Sequence, residues 1–454
     1  MQHFITEQRE FFKSGATFDI NFRIKQLNLL KKVIKDHEQQ LYDAILSDFK
    51  KSEFDTYTTE LSLVYNDIKD AKRNLKTWAQ KERVSANLVN FPARSYILKE
   101  PLGVCLVIGA WNYPYLLSLA PAVAALAAGN TVIIKPSELP KATSRVMAEM
   151  INQNFDPKVL KVIEGGVPET TKLLEQNFDK IFFTGSTKVG KIVYQAAAKQ
   201  LTPVTLELGG KSPAFVTASC NIKMTAKRLA WAKFLNAGQT CIAPDYVMVD
   251  AAVEADFLQA LVAEIKRQKF SIENSNYVQI INDDNFERVS KMIDTEKLYH
   301  GGNFDAAQRL IDPTVLHNVA FDDAVMQEEI FGPILPVIRY ENLDDAISRV
   351  RELPKPLSAY VFTASAKMKN KVLQQLSFGG GMVNDAVMHI VNSELPFGGV
   401  GMSGIGSYHG KAGFDCFSHK KSIVEKANWF ELPLKHGPHS ASSLKWIKRL
   451  MKFQ

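Results

Sequence analysis

Apolar positions along the chain alternate between two periods, and that alternation predicts the architecture. From Leu61 onward, Leu61, Val64, Tyr65, Ile68, Ala71, Leu75 and Trp78 follow a three-to-four spacing, so residues 19–80 read as helical. Residues 84–101 carry few charges, β-branched and aromatic side chains and Pro92, the pattern of an extended excursion out of a first domain. Beyond 102, GVCLVIGA, NTVIIK, KVLKVIEGG, KIFFTG and PVTLELGG read as strands. LLSLAPAVAALAAG (closed by Gly129), PETTKLLEQ and STKVGKIVYQAAAKQ read as the helices between them. A second series runs from about 212 to 388, with strands SPAFVT, YVMVD and LPVIRY and helices at 222–235, 254–268 and 343–352. Strands alternating with helices in this way predict doubly wound parallel sheets in an α/β fold.

The stretch 101–134 contains no charged side chain, which raises the question of a membrane span, since about 20 apolar residues suffice. Pro101, Asn112, Pro114, Pro121 and Asn130 interrupt it. A buried βαβ unit explains the missing charge, because a parallel strand is covered on both faces.

Composition narrows the class. The 454 residues are 46% hydrophobic and 23% charged, which excludes a disordered, collagenous or coiled-coil chain, and the length calls for two or three domains. Cys105, Cys220, Cys241 and Cys416 show no CxxC or Cys/His spacing, so neither a disulfide framework nor a zinc site is expected, and no metal. The N-terminal MQHFITEQREFFK lacks the pattern of a signal peptide, and a reducing cytoplasm is the expected compartment. The net charge of +7 is concentrated at one end: Lys435, Lys445, Lys448, Arg449 and Lys452 supply five charges, leaving 50 basic against 48 acidic side chains elsewhere. That distribution is no nucleic-acid footprint.

Several short motifs are candidates for chemistry. NAGQTC at 236–241 puts Cys241 on a turn at the end of a helix, where a thiol is accessible; a small buried hydrophobe is the alternative. VTLELGGKSP at 204–213 puts Glu207 at the carboxyl end of a strand, where open α/β sheets bind ligands and a carboxylate can act as general base, or where it is simply solvated. FTGSTKVG at 183–190 runs from strand into helix and offers backbone N–H groups to a phosphate, or forms only a tight turn. IIKPSE at 133–138 sets Lys135, Ser137 and Glu138 after a buried strand, suited to ribose hydroxyls or to a helix start capped by Ser137. AWNYP at 110–114 offers the Asn112 amide to an oxyanion, or holds a turn. QEEIFGP at 327–333 spaces Glu329 and Phe331 two apart, and LPFGGVGMSGIG at 395–406 is rich in turns.

Taken in order, WN, KPSE, FTGS, ELGGKS, GQTC, EEIFGP and PFGGVG resemble the aldehyde dehydrogenase superfamily over about residues 20–425. AGQTCIAPDY, KPLSAYVF and SYHGKAGF resemble its class 3 branch, which includes the fatty aldehyde dehydrogenases. The resemblance implies two doubly wound parallel-sheet domains and a small β oligomerisation extension. Residues 1–83 and 102–207 would bind NAD(P), 208–388 would carry the nucleophile, 84–101 and 389–433 would bridge subunits, and 434–454 would form a basic amphipathic tail. It implies Cys241 as nucleophile, Asn112 as oxyanion donor and Glu207 as the base that activates water. Trp111, Lys135, Ser137, Glu138, Gly185, Ser186, Val189, Leu208, Glu329 and Phe331 would bind cofactor. Tyr65, Tyr113, Trp231 and His389 match aromatic or polar pocket positions of the branch, implying medium-chain, long-chain or aromatic aldehydes as substrates. The family's usual Pro before WN is Ala110 here, a minor departure.

Glu138 would repel a 2′-phosphate and favours NAD, while relatives that accept both cofactors leave NADP open. CoA-acylating or acyl-phosphate reductases of the same fold usually lack a carboxylate at the position of Glu207, and the intact Cys241, Glu207, Asn112 and Glu329 argue against a non-enzymatic descendant. A homodimer is the expected assembly. In ASSLKWIKRLMKF at 441–453, Leu444, Ile447, Leu450 and Met451 share one helical face with the basic residues largely off it. Such a helix docks on a partner subunit, the commoner arrangement, or makes a peripheral membrane contact.

Overall fold

The structure is a computed structural model and describes residues 1–432 and 435–452. Positions 433–434 and 453–454, at the start and end of the expected tail, lie outside the described residues.

A six-stranded sheet runs in the order Gly404–Ile405, Val204–Glu207, Lys180–Thr184, Val104–Ile108, Thr131–Lys135, Leu160–Val162. Every neighbouring pair is parallel except the first, where Gly404 pairs with Glu207 antiparallel. The charge-free stretch resolves into strand Val104–Ile108, helix Pro114–Ala128 and strand Thr131–Lys135, and Gly129 ends the helix at φ 97°. Both faces of these strands are covered, as their unbroken apolar runs require. Cys105, Val107, Val132 and Ile134 share a core with helix Pro114–Ala128, while the alternate residues Val104, Leu106, Ile108 and Ile133 share another with Ile5. Ile5 belongs to the helix Gln2–Lys13, which the apolar period had not revealed. Gln8 ties that helix down by donating to the carbonyls of Val132 at 3.1 Å and Pro157 at 2.9 Å.

A second sheet of seven strands is ordered Leu298–His300, Thr314–Leu316, Ile334–Tyr340, Tyr246–Asp250, Pro213–Val216, Ser358–Phe362, Gly380–Val383. It is parallel apart from the antiparallel edge pair Leu298–His300 with Thr314–Leu316. Helices Ile222–Phe234, Glu254–Gln268 and Leu343–Arg351 fall where the amphipathic period puts them. Four strands of this sheet, Leu298–His300, Thr314–Leu316, Ser358–Phe362 and Gly380–Val383, escape the periodic reading because runs of three to five residues show little period.

The segment 84–101 leaves the body. Ala93–Pro101 pairs antiparallel with Ser418–Lys426 over nine residue pairs, and Glu82–Val84 adds a third strand. Residues 19–80 are helical, as Ile20–Asp36, Glu38–Phe49 and a run from Glu53 to Trp78 that contains a π-helical turn at Tyr57–Leu61. Among the described residues no helix is long and apolar enough to cross a membrane.

Candidate active site

Strand Val204–Glu207 ends where two cavities adjoin, and Thr184, Glu207, Leu208 and Cys241 line both. Cys241 arrives by an uncommon backbone path. After helix Ile222–Phe234, Asn236, Ala237 and Gly238 adopt φ values of 53°, 51° and 73°, the left-handed region that L-residues rarely occupy. A Cβ on Gly238 would stand 2.2 Å from the Gly332 carbonyl oxygen, so only glycine fits there. Backbone strain of this kind persists only where surrounding contacts over-determine it. Here Asn236 Nδ2 donates to the carbonyls of Asn112 and Gln239, each at 3.1 Å. Asn112 Nδ2 donates to the same Gln239 carbonyl at 3.0 Å. Gln239 in turn donates to the Gln279 carbonyl at 3.0 Å and accepts from Ile281 N at 3.0 Å. The Asn112 turn and the Cys241 loop are therefore one hydrogen-bonded unit.

Burial pushes the Cys241 thiol up to about 12, and the carboxylates of Glu329 and Glu207 add to the effect. The backbone N–H groups of Cys241 and Ile242 pull the other way, because they face the sulfur. Glu207 is 3% exposed, burial raises its carboxyl well above the ordinary range, and neither oxygen has a hydrogen-bond partner among the described residues. An orphaned buried carboxyl is costly to keep, and such groups concentrate where chemistry uses them.

The larger cavity is a trough of about 590 Å³, a volume in the range of cofactor sites. All ten residues implied to bind cofactor line it. Lys135, Ser137 and Glu138 lie on one stretch of wall, and Gly185, Ser186 and Val189 on another. Trp111, Glu329 and Phe331 line the trough as well, and Leu208, like Cys241, lines both cavities. Lys135 is buried, donates to the Pro136 carbonyl at 2.5 Å and lies 4.0 Å from Glu138; burial lowers its ammonium, against the pull of Glu138. Ser186 caps helix Thr187–Ala198 by accepting from Val189 N at 3.4 Å. Ser137 caps no helix: its hydroxyl accepts from Leu139 N at 3.3 Å, and the helix starts later, at Lys141. Trp111 and Phe331 meet edge to face at 5.2 Å, with Phe331 itself at φ 48°. A concave wall with Lys135, Arg288, the carboxylates of Glu138 and Glu329 among its four glutamates, and a helix N-terminus fits a dinucleotide.

The smaller cavity, about 190 Å³, is apolar, with Leu63, Leu116, Leu117, Leu235, Ile242 and Phe397 on its walls. Tyr113 and Trp231 line it too, and Tyr113 Oη bonds Thr240 Oγ1 at 2.6 Å. Tyr65 and His389 do not line it. Leu63 faces the cavity, and Tyr65, two residues on, points about 200° around the helix, where its hydroxyl donates to Glu38 at 2.8 Å. Met388, Ile390 and Val391 face the cavity, whereas His389 turns to Ser358 Oγ at 3.3 Å and packs on Tyr360 and Phe397.

Sequence reasoning overlooked the residues that hold the 327–333 loop. Lys211 bonds Asp245 at 2.5 Å and the carbonyls of Val325 and Glu328, Asp245 accepts from Ile330 N at 3.0 Å, and Arg288 donates to the carbonyls of Glu329 and Ile330. The signal lay inside quoted strings: Lys211 in ELGGKS and Asp245 in APDY.

Comparison with known proteins agrees with this geometry. The model of the aldehyde dehydrogenase family matches residues 1–423. The chain is 44% identical to 4,4′-diaponeurosporen-aldehyde dehydrogenase of Staphylococcus aureus, over 98% of each chain. It is 42% identical to aldehyde dehydrogenase family 3 member A2 of Mus musculus, over 99% of this chain and 93% of that one. The substrate-bound structure of Staphylococcus aureus AldH superposes with a TM-score of 0.96 at 43% identity, covering 99% of both chains. The chain therefore belongs to the aldehyde dehydrogenase family, in its class 3 branch, and is an NAD(P)-dependent enzyme that oxidises aldehydes.

Proposed function

We propose that the enzyme converts medium-chain, long-chain or aromatic aldehydes to carboxylic acids through a covalent intermediate on Cys241. The observation that carries this is the thiol's position where an apolar cavity meets a dinucleotide-sized trough. Glu207, which borders both cavities, takes the thiol proton, and the Cys241 sulfur adds to the aldehyde carbon. The oxygen of the thiohemiacetal becomes an oxyanion held by Asn112 Nδ2 and the Cys241 backbone N–H; one such donor is worth about 10²–10³ in rate. A bound nicotinamide supplies the acceptor for the hydride that the tetrahedral carbon expels. Glu207 passes the thiol proton on to solvent and then accepts a proton from the water that attacks the resulting thioester, and Cys241 leaves as thiolate. Splitting the oxidation in two replaces one difficult step by two easier ones.

Trp111, Phe331 and Glu329 position the nicotinamide end of the cofactor, while Lys135 and Glu138 hold the adenosine ribose and favour NAD over NADP. An apolar cavity with one reactive end suits a hydrocarbon tail better than a small charged substrate. In this proposal the enzyme is a cytoplasmic homodimer. Among the described residues Ser418–Lys426 is an edge strand, and it and the exposed Leu88, Val89 and Phe91 support that assembly.

The test is NADH formation with hexanal, benzaldehyde and a long-chain aldehyde. Activity surviving in Cys241→Ser would sink the nucleophile assignment. Unchanged steady-state turnover in Glu207→Gln would remove the base, and a product that becomes an acyl-CoA when CoA is added would favour the acyl-transfer reading.

A further inference from the structure

We infer that Glu60 and Lys51, a buried ion pair outside both cavities, are positioning residues that aim the Asn112 amide at the oxyanion. The inference rests on the role proposed above for Asn112.

Helix Pro114–Ala128 begins two residues after Asn112 and has no cap of its own: Tyr113 occupies the cap position but its side chain makes no capping bond, and Pro114 follows. Its first free N–H groups, those of Tyr115 and Leu116, instead donate to Glu60 Oε2 at 2.8 and 3.3 Å. The other carboxylate oxygen, Oε1, accepts from Lys51 Nζ at 2.7 Å. Both side chains are essentially inaccessible, at 0% and 1%. Lys51 Nζ also lies 4.2 Å from the centre of the Tyr113 ring, whose hydroxyl bonds Thr240 beside the nucleophile.

A carboxylate at a helix N-terminus is stabilised by the helix dipole and supplies the missing acceptor. A lone buried carboxylate so near a developing oxyanion would oppose it, and Lys51 neutralises that charge. Glu60 reaches the helix because it sits on the π-helical turn Tyr57–Leu61, whose Thr58 and Thr59 line the apolar cavity. Such turns recur at functional sites because one extra residue re-aims the side chains around it. The Asn112–Tyr113 segment is thus clamped on one side by the Cys241 loop and on the other by the ion pair.

The experiment compares wild type with Glu60→Gln, Glu60→Asp and Asn112→Ala. Three quantities are read on the full chain: the pre-steady-state NADH burst rate with hexanal, alkylation of Cys241 by iodoacetamide, and the Kd for NAD. Displacing a catalytic group by about 1 Å can cost up to about a hundredfold. Both Glu60 variants are expected to slow the burst by about tenfold or more, with alkylation and NAD binding within about twofold of wild type. Glu60→Asp keeps the charge pair in the core and decides the matter if Glu60→Gln does not fold. Wild-type burst rates in a folded variant overturn the inference, and so does a slower burst that comes with lost alkylation or NAD binding. If Asn112→Ala slows the burst and the Glu60 variants do not, the positioning role alone falls. If Asn112→Ala has no effect, the oxyanion assignment fails as well.

Discussion

The Glu329 carboxylate fills the space in which a side chain on Gly209 would begin: a Cβ there would stand 1.9 Å from Glu329 Oε2. The ELGGKS and EEIFGP segments, more than a hundred residues apart, are therefore matched to each other at this contact. Gly209→Ala is expected to push Glu329 out of place and raise the KM for NAD about tenfold, the equivalent of about 1.4 kcal/mol. Steady-state kinetics with NAD varied, alongside an unchanged circular dichroism spectrum, check it. An unaltered KM would mean that Glu329 does not position the cofactor.

The same carboxyl makes stability depend on pH. Burial pushes Glu329 up to about 8 from an ordinary 4.5, and Asp245 adds to the shift. Between those values the folded enzyme keeps a proton that the unfolded chain has lost, so stability falls as pH rises. The contribution is complete below pH 4.5 and lost through about 8, with a limiting slope of about 1.4 kcal/mol per pH unit. Glu329→Gln, which mimics the protonated form, is expected to raise the Tm of cofactor-free enzyme more at pH 8.5 than at pH 5.5. Equal effects at both pH values would contradict the shift.

Asn236 combines a left-handed backbone with two donated bonds, to Asn112 and Gln239. Alanine tolerates that backbone less well than asparagine and leaves both carbonyls without these bonds. Asn236→Ala is expected to cost about 1–3 kcal/mol in urea unfolding and to lower kcat more than it raises the KM for aldehyde. A loss of stability with kcat intact would make the residue purely structural.

The apolar cavity predicts a chain-length series. Each methylene buried from water is worth about 0.8 kcal/mol, so kcat/KM should rise about fourfold per carbon from propanal upward until the cavity is filled. A flat series, or preference for short aldehydes, would remove the hydrocarbon-tail reading.

The tail forms helix Ala441–Leu450, followed by Met451, with Leu444, Trp446 and Met451 exposed at 53%, 59% and 61%. If it docks on the partner subunit, deleting 440–454 should weaken the dimer in light scattering and leave kcat unchanged. Salt-sensitive binding to anionic vesicles, lost on the same deletion, would instead assign it to a membrane surface.

Read without a fold, the chain determined a good deal. The buried strands Val104–Ile108 and Thr131–Lys135 announce themselves because parallel strands covered on both faces must be continuously apolar. Cys241 and Glu207 can be singled out from GQTC and ELGG because a turn after a helix and a strand end are local features. Tertiary structure alone decided where Tyr65 and His389 face, since rotation about one helix axis places a residue in the cavity or behind its wall, and no sequence period measures that against a partner element. It alone joined Glu60 to Tyr115 and Lys51, a contact spanning 55 residues that depends on one π-helical turn. It also imposed left-handed conformations on Asn236 and Ala237, which neither residue type demands. Local periodicity encodes which elements form; which side chains converge is settled by the packing of those elements, where contacts distant in sequence over-determine conformations that the chain would not adopt alone.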